Sequence, residues 1–246
     1  MNNIISANMA TIPERIDIAL KAVNSIYDQV DQIRIYLNKF DKYPKELIDK
    51  KITLMIDKDL RSTGKFYWAL EKNQYYFSID DDLIYPQDYV KEHLEILKKY
   101  NDTIAVTLHG KVLNRGPIKS YFKDGIKRNY RCLKDVKRNT YVHILGGGVS
   151  AFNTNKILID RKKFKYLYMD DIEVSMQLQK QNIPIIVRKH KSDYLQYLEP
   201  KVTTLFEEYM NDDSTHTKMI NSIDWKIHKF NHWNYWKNMF QKFNLD

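Results

Sequence analysis

The stretch Tyr75-Tyr76-Phe77-Ser78-Ile79-Asp80-Asp81-Asp82 decides the fold, together with Pro86 just beyond it. Aromatic and branched side chains from Tyr75 to Ile79 favour a strand. That strand stops abruptly in three carboxylates. Pro86 then opens a helix carrying Val90, Leu94 and Leu97 at helical spacing. A strand that runs straight from an apolar segment into clustered charge has its end at a water-filled edge.

Working upstream, the same alternation repeats. Ile4 to Met9 reads as a strand, with Thr11 as a helix N-cap and Pro13 in the first turn. Ile16, Ala19, Leu20, Val23, Ile26 and Tyr27 then recur as one helical face. Gln32 to Leu37 and Ile52 to Ile56 are strands, and Thr63 to Lys72 has the pattern of a helix. Strand, helix, strand, helix predicts an α/β fold: a mostly parallel sheet with helices on both faces. Such sheets bind ligands beyond the carboxyl ends of their strands. That rule marks the loop after Met9, the turn at Asn38 and the acids after Ile79.

Downstream the pattern is less regular. Ile104 to Leu108 and Ile183 to Val187 are strands, and Ile172 to Gln181 is a helix. Tyr141 to Leu145 is a strand running into Gly146-Gly147-Gly148. Between Lys111 and Arg138, six lysines and four arginines face two aspartates, so most of the net charge of +9 lies in one stretch. An anionic partner and a solvated loop both account for that. At the end of the chain, Ile227, Phe230, Trp233, Trp236, Phe240 and Phe243 fall three or four apart among lysines. This spacing predicts an amphipathic helix, docked on the domain or lying on a membrane surface. The 246 residues suffice for one sizeable core. The single Cys132 excludes an intrachain disulfide. No secretory leader and no membrane-length apolar run is read, and a cytoplasmic setting is the expectation.

Four constellations carry chemistry. Asp80-Asp81-Asp82 suits a hard divalent cation sharing substrate phosphates, or an acidic cap for the helix at Pro86. Asp170-Asp171-Ile172-Glu173 offers a carboxylate base, or acids that suit a helix start. The glycine run lets backbone approach a ligand closely, or makes a flexible turn. Arg61-Ser62-Thr63-Gly64-Lys65 places cations and backbone N–H groups where a diphosphate could sit. It is not a Walker loop, because the upstream position holds Asp59.

In this order, the pieces resemble the GT-A glycosyltransferases, nearest to the inverting family-2-like bacterial enzymes. Ser6 to Asn24 is similar to the family's first strand, nucleotide loop and helix. Asp80-Asp81-Asp82 resembles its Asp-X-Asp element, and Asp170-Asp171-Ile172-Glu173 its Glu-Asp element, with Asp170 where Glu is usual. The resemblance covers residues 4 to 200. It implies a GT-A, Rossmann-like domain over 1–205, with a nucleotide-sugar half (1–100) and an acceptor half (101–205). Residues 206–246 would be a helical aromatic and basic tail.

The resemblance further implies transfer of a sugar, with inversion, from a nucleotide-diphosphate sugar to a saccharide acceptor. The setting would be bacterial surface polysaccharide or glycan synthesis, with uridine diphosphate the default carrier. Thr11, Pro13, Arg15, Asn38, Arg61, Lys65, Asp80 and Asp81 would bind the donor. Asn38 stands where many relatives carry an acid. Asp82 would bind Mn²⁺ or Mg²⁺, with His190 as further ligand and His216 as the next candidate. Asp171, helped by Asp170, would be the base, and Gly147, Gly148 and His109 would face the acceptor. The basic stretch would cradle an anionic or lipid-linked acceptor, and the tail would touch the inner face of the membrane. Two other readings stay open: a nucleotidyl- or phosphotransferase on the same acids, and a basic nucleic-acid module stacking bases on Tyr121, Phe122, Tyr130 and Tyr141. The second leaves both acid clusters unexplained, so no nucleic acid is expected.

Overall fold

The computed structural model describes residues 3–200 and 212–230. Its centre is an eight-stranded sheet in the order β3-β2-β1-β4-β11-β6-β12-β9. The first four strands are β1 (Ile4–Thr11), β2 (Gln32–Leu37), β3 (Ile52–Ile56) and β4 (Gln74–Ile79). They pair in parallel, with β1 between β2 and β4. Helix α1 (Ile16–Ile26) crosses from β1 to β2 and buries Ala19, Ala22, Val23 and Ile26. A short strand, β5 (Leu83–Ile84), and helix α2 (Tyr89–Lys99) follow β4. The expected α/β class, a mostly parallel sheet flanked by helices, is the class observed.

The second half extends the sheet through β6 (Ala105–Thr107), β9 (Thr140–Val142), β11 (Val149–Asn153) and β12 (Ile185–Val187). Strand β11 runs antiparallel between β4 and β6, with Ser150 opposite Ser78. All five of its residues are buried, so it shows no in–out alternation to betray it in the sequence. A smaller sheet joins β10 (Ile144–Leu145), β7 (Gly110–Leu113) and β8 (Ile126–Tyr130), and β5 pairs with β13 (Gln196–Tyr197). Helix α3 spans Asp170–Lys180. Helix α4 (Ser214–Ile220) packs near the turn ahead of β8.

Several expectations change. Thr63 to Lys72 is not an α-helix. A 3-10 turn over Arg61–Phe66 buries Thr63, Gly64, Lys65 and Phe66. Gly64 lies against Tyr36, where a Cβ would stand 2.7 Å from the ring. Arg61 adopts φ 47, outside the right-handed helical region. Tyr141 to Leu145 is broken at His143, whose Nδ1 accepts from Leu113 N at 2.8 Å, and its two halves join different sheets. The first part of the basic stretch, to Tyr130, forms a β7–β8 hairpin, and cations on the exposed face of β8 suit a sheet edge.

Lys226 to Phe230 form no helix. Phe230 instead packs edge-on against Tyr100, 5.2 Å between ring centres. The rest of the expected amphipathic helix, including Trp233 and Trp236, lies outside the described residues. Residues 212–230 are joined to the segments around Ile118–Phe122 and Ile172 by packing and hydrogen bonds, so a boundary at 205 does not set them apart. No helix among the described residues is long and apolar enough to cross a membrane.

Candidate active site

The strand order turns back between β1 and β4, since β2 and β3 lie on one side of β1 and β4 on the other. A crevice opens at the carboxyl ends on either side of such a point. Thr11 ends β1 there and Asp80-Asp81-Asp82 follow β4. Thr11 caps no helix. Its hydroxyl donates to Asp81 Oδ2 at 2.7 Å. Pro13–Arg15 form one 3-10 turn that aims Arg15 back at the acids. Arg15 Nη2 lies 2.9 Å from Asp81 Oδ1 and 2.5 Å from Asp82 Oδ2. Helix α2 starts only at Tyr89, so the three acids do not cap it.

These carboxylates are held at a cost. Burial pushes Asp81 up to about 7, with Arg15 pulling it back. Asp82 is also raised, by burial and by the Asp80 charge, again opposed by Arg15. Next to them, burial works against the Lys65 ammonium. Asp80 and Asp170 outweigh it and hold Lys65 above the usual lysine range.

The glycine run forms the floor between the two acid clusters. Antiparallel pairing of β11 with β4 brings Gly148 under Asp80, whose N–H donates to Gly148 O at 3.1 Å. A Cβ at Gly148 would fall 1.7 Å from Asp80 Oδ2, and one at Gly147 would fall 2.0 Å from Asp170 Oδ2. The glycines are there because carboxylates occupy the space a side chain would need. Helix α3 begins at Asp170 itself, so both acids sit in its first turn, where the helix dipole favours them. Gly147 N–H donates to Asp171 Oδ1 at 2.5 Å.

Lysine side chains tie the clusters together. Lys65 Nζ pairs with Asp80 Oδ1 and lies 3.5 Å from Asp170 Oδ2. Ser62 donates to Asp170 Oδ1 at 2.6 Å. Lys111 Nζ lies 3.6 Å from Asp171 Oδ2. The Asp171 side chain stays 33% exposed, against 11% for Asp170. Asp170 is bound up with Lys65 and Ser62 of the Arg61–Phe66 turn, and Asp171 is the more exposed of the two.

Beside the acids is a cavity of about 400 Å³. Thr11, Arg15, Asn38, Arg61, Lys65, Asp80, Asp81, Asp82, Asp170, Asp171 and Gly148 all line it. Asn38 spends its amide on backbone, donating to Arg61 O at 2.9 Å and accepting from Leu60 N at 2.8 Å. It positions the Arg61 turn. Pro13, Gly147 and His109 shape the site from behind rather than lining it. His109 is kept neutral, its pKa lowered to about 3 by burial and by Lys111.

His190 is elsewhere. Its ring nitrogens face the carbonyl oxygens of Arg188 at 2.7 Å and Arg131 at 3.3 Å, and its backbone bridges Val136. Neither nitrogen turns to the acids. His216, on α4, does line the cavity. Sequence reasoning missed Lys111 as partner of Asp171, because Lys111 is one of ten cations in a stretch read as a loop. No group of three metal-type ligands stands ready among the described residues.

No protein-family model matches the chain, and no curated protein matches it. Among solved structures it is similar to the 2-C-methyl-D-erythritol 4-phosphate cytidylyltransferase of Francisella tularensis. The identity is 16% and the TM-score 0.44, over 86% of this chain and 99% of that one. What the cavity does has to follow from its own residues. Five carboxylates, from Asp80 to Asp82 and at Asp170 and Asp171, meet three paired cations, Arg15, Lys65 and Lys111. With Asp59, Lys39 and Arg61 also on its lining, the strand-end crevice sets six carboxylates against five cations, close to balance. A ligand combining phosphate with a divalent cation satisfies both signs of charge.

Proposed function

We propose that the chain is a glycosyltransferase that moves a sugar from a nucleotide-diphosphate donor to a saccharide acceptor with inversion. The observation that carries this reading is the meeting of two acid clusters, from the ends of β4 and the start of α3, across one glycine floor in a single cavity. One cluster suits the donor diphosphate and the other a proton acceptor.

The donor would lie over the β1–β4 crevice, with its diphosphate beside Lys65 and Arg61 and its sugar above Gly148. The site fits a hard Mn²⁺- or Mg²⁺-type ion that takes one or two carboxylates and completes its shell with phosphate and water. Asp82 and Asp80 would hold it, with Arg15 leaving Asp82. When bound, the ion would stabilise negative charge on the leaving diphosphate. Lys65, fixed by Asp80 and Asp170, adds a cation that needs no rearrangement as that charge grows. Asp171 accepts the proton of the attacking hydroxyl, its carboxylate held in place by Gly147 N–H and Lys111. A single displacement from the face opposite the diphosphate inverts the anomeric centre.

Asp171→Asn tests the division of labour. It keeps the acceptor oxygen for Gly147 N–H, so nucleotide binding should persist while transfer falls by roughly 10²- to 10⁴-fold. Equal loss of both contradicts the assignment. The nucleic-acid reading loses support because the Tyr121 ring is already stacked on His216 and does not offer its face to a base. Of the ten cations in the basic stretch, only Lys111 lines the cavity. An anionic cradle around the acceptor is therefore not part of the proposal.

A further inference from the structure

The wall of the cavity beside Asp171 is built from two distant segments. A π-type turn, Tyr121–Gly125, joins β7 to β8. It is stapled to the 213–221 segment by five hydrogen bonds. Ser120 Oγ and Phe122 N donate to Asp213 Oδ2 at 2.6 and 2.8 Å, and Tyr121 N donates to Thr217 Oγ1 at 2.9 Å. Ile118 and Asn221 exchange two more, each of 2.9 Å. The staple stacks the Tyr121 and His216 rings, 5.3 Å between centres and 16° apart. Both line the cavity with Lys111, Phe122 and Asp171.

Two polar atoms on this wall are buried with hydrogen-bonding capacity unused: His216 Nδ1, which has no partner, and Tyr121 Oη, which has Lys111 beside it and no other partner. A buried polar atom left unpaired forfeits its hydration without recompense. Such an atom calls for a water, an ion or a ligand group to complete it. Charge does not decide the ligand here, because Lys111 is matched by Asp171 at 3.6 Å. The imidazole is neutral near pH 7, its pKa lowered to about 4 by burial and by Lys111. A phenol and a neutral imidazole each exchange hydrogen bonds with hydroxyl groups, and the Phe122 ring alongside offers an apolar surface for sugar C–H groups.

We propose that Tyr121 and His216 form the acceptor subsite and recognise neighbouring hydroxyls of an uncharged sugar, setting one hydroxyl beside Asp171. This rests on the glycosyltransferase reading and deepens it. It also moves acceptor recognition from His109 and Gly147 to a wall whose second half comes from the chain beyond residue 211.

The test titrates methyl glucoside and methyl galactoside by saturation-transfer NMR into the wild type, Tyr121→Phe, His216→Phe and His216→Asn. Nucleoside diphosphate binding with Mn²⁺ is measured by calorimetry on the same samples. Tyr121→Phe and His216→Phe keep the ring stack and should each weaken glycoside binding about 2- to 10-fold. His216→Asn, which returns a polar atom near Nδ1, should recover part of it, and all variants should keep nucleotide affinity. Glycoside binding that is absent in the wild type, or unchanged in both phenylalanine variants, overturns the subsite. So does nucleotide affinity that falls in step with glycoside affinity. A wild type that binds glycosides but no nucleotide refutes the donor reading and leaves the subsite standing.

Discussion

Gly148→Ala is the sharpest perturbation of the site. The new Cβ would stand 1.7 Å from Asp80 Oδ2 and 1.8 Å from its Cγ. Ordinary contacts between such atoms are roughly 3.5–4.0 Å, so the carboxylate has to move by about 2 Å. The Asp80 backbone is fixed, because its N–H donates to Gly148 O at 3.1 Å and contacts Tyr85 Oη at 2.8 Å. Only the side chain can turn, and turning takes it off Lys65. Crowding of this kind costs about 1–3 kcal/mol. At roughly 2–4 °C per kcal/mol for a chain of this size, the melting temperature should fall by about 2–12 °C. Nucleoside diphosphate binding, read by calorimetry, should weaken at the same time. Gly116→Ala is the control. Gly116 has φ +80 and open space around it, so alanine there strains only the backbone, by about 1–2 kcal/mol, and should leave binding intact. Unchanged melting and unchanged binding in Gly148→Ala would refute the claim that the glycine floor exists to seat the acids.

Other outcomes follow from the same geometry. Lys65→Met should leave Asp80 and Asp170 without their shared cation, lowering stability by about 3–5 kcal/mol in urea denaturation; a Ser62→Ala, Lys65→Met double mutant should cost less than the sum of its singles, because both side chains serve Asp170. The pKa of Asp81 is held up at about 7, so its ionisation opposes folding: its contribution is fully present below the unfolded value near 4 and is lost as pH rises through 7. Arg15→Met should move that titration higher still, as read by NMR of the Asp81 carboxyl, because the guanidinium opposing the rise is gone. A titration that stays in place would mean that Arg15 does not govern Asp81.

The alternating first half was legible because its elements are amphipathic. Strands β2 and β3 match the expected stretches residue for residue, while α1 begins only at Ile16 and not directly after Thr11, because a separate 3-10 turn over Pro13–Arg15 comes between. What hid was set by tertiary contact. Strand β11 is buried on both faces, so its sequence carries no period. The Arg61–Phe66 turn has helical composition, but Tyr36 packing on Gly64 and the satisfied Asn38 amide hold it tighter than an α-helix. Within the site, the acids could be read from the sequence because five carboxylates in two short clusters are hard to place anywhere but a charged crevice. Their partners could not. Lys111 stands 60 residues before Asp171, and nothing local distinguishes it from nine neighbouring cations. His190 drew attention for following a strand, yet a histidine there meets backbone carbonyls as readily as a ligand. His216 reaches the cavity only through the staple between residues 118–122 and 213–221, a contact across about 95 residues that no sequence period records.

On the proposed function, the crevice between β1 and β4 binds a nucleoside diphosphate together with a divalent cation. Thermal shift and calorimetry against the nucleoside diphosphates, with and without Mn²⁺, on the wild type and on Asp82→Ala, test it most directly. One diphosphate should stabilise the wild type in a Mn²⁺-dependent way, and Asp82→Ala, while still folded, should lose that stabilisation. A folded wild type that no diphosphate stabilises, or stabilisation that Asp82→Ala leaves untouched, would contradict that reading.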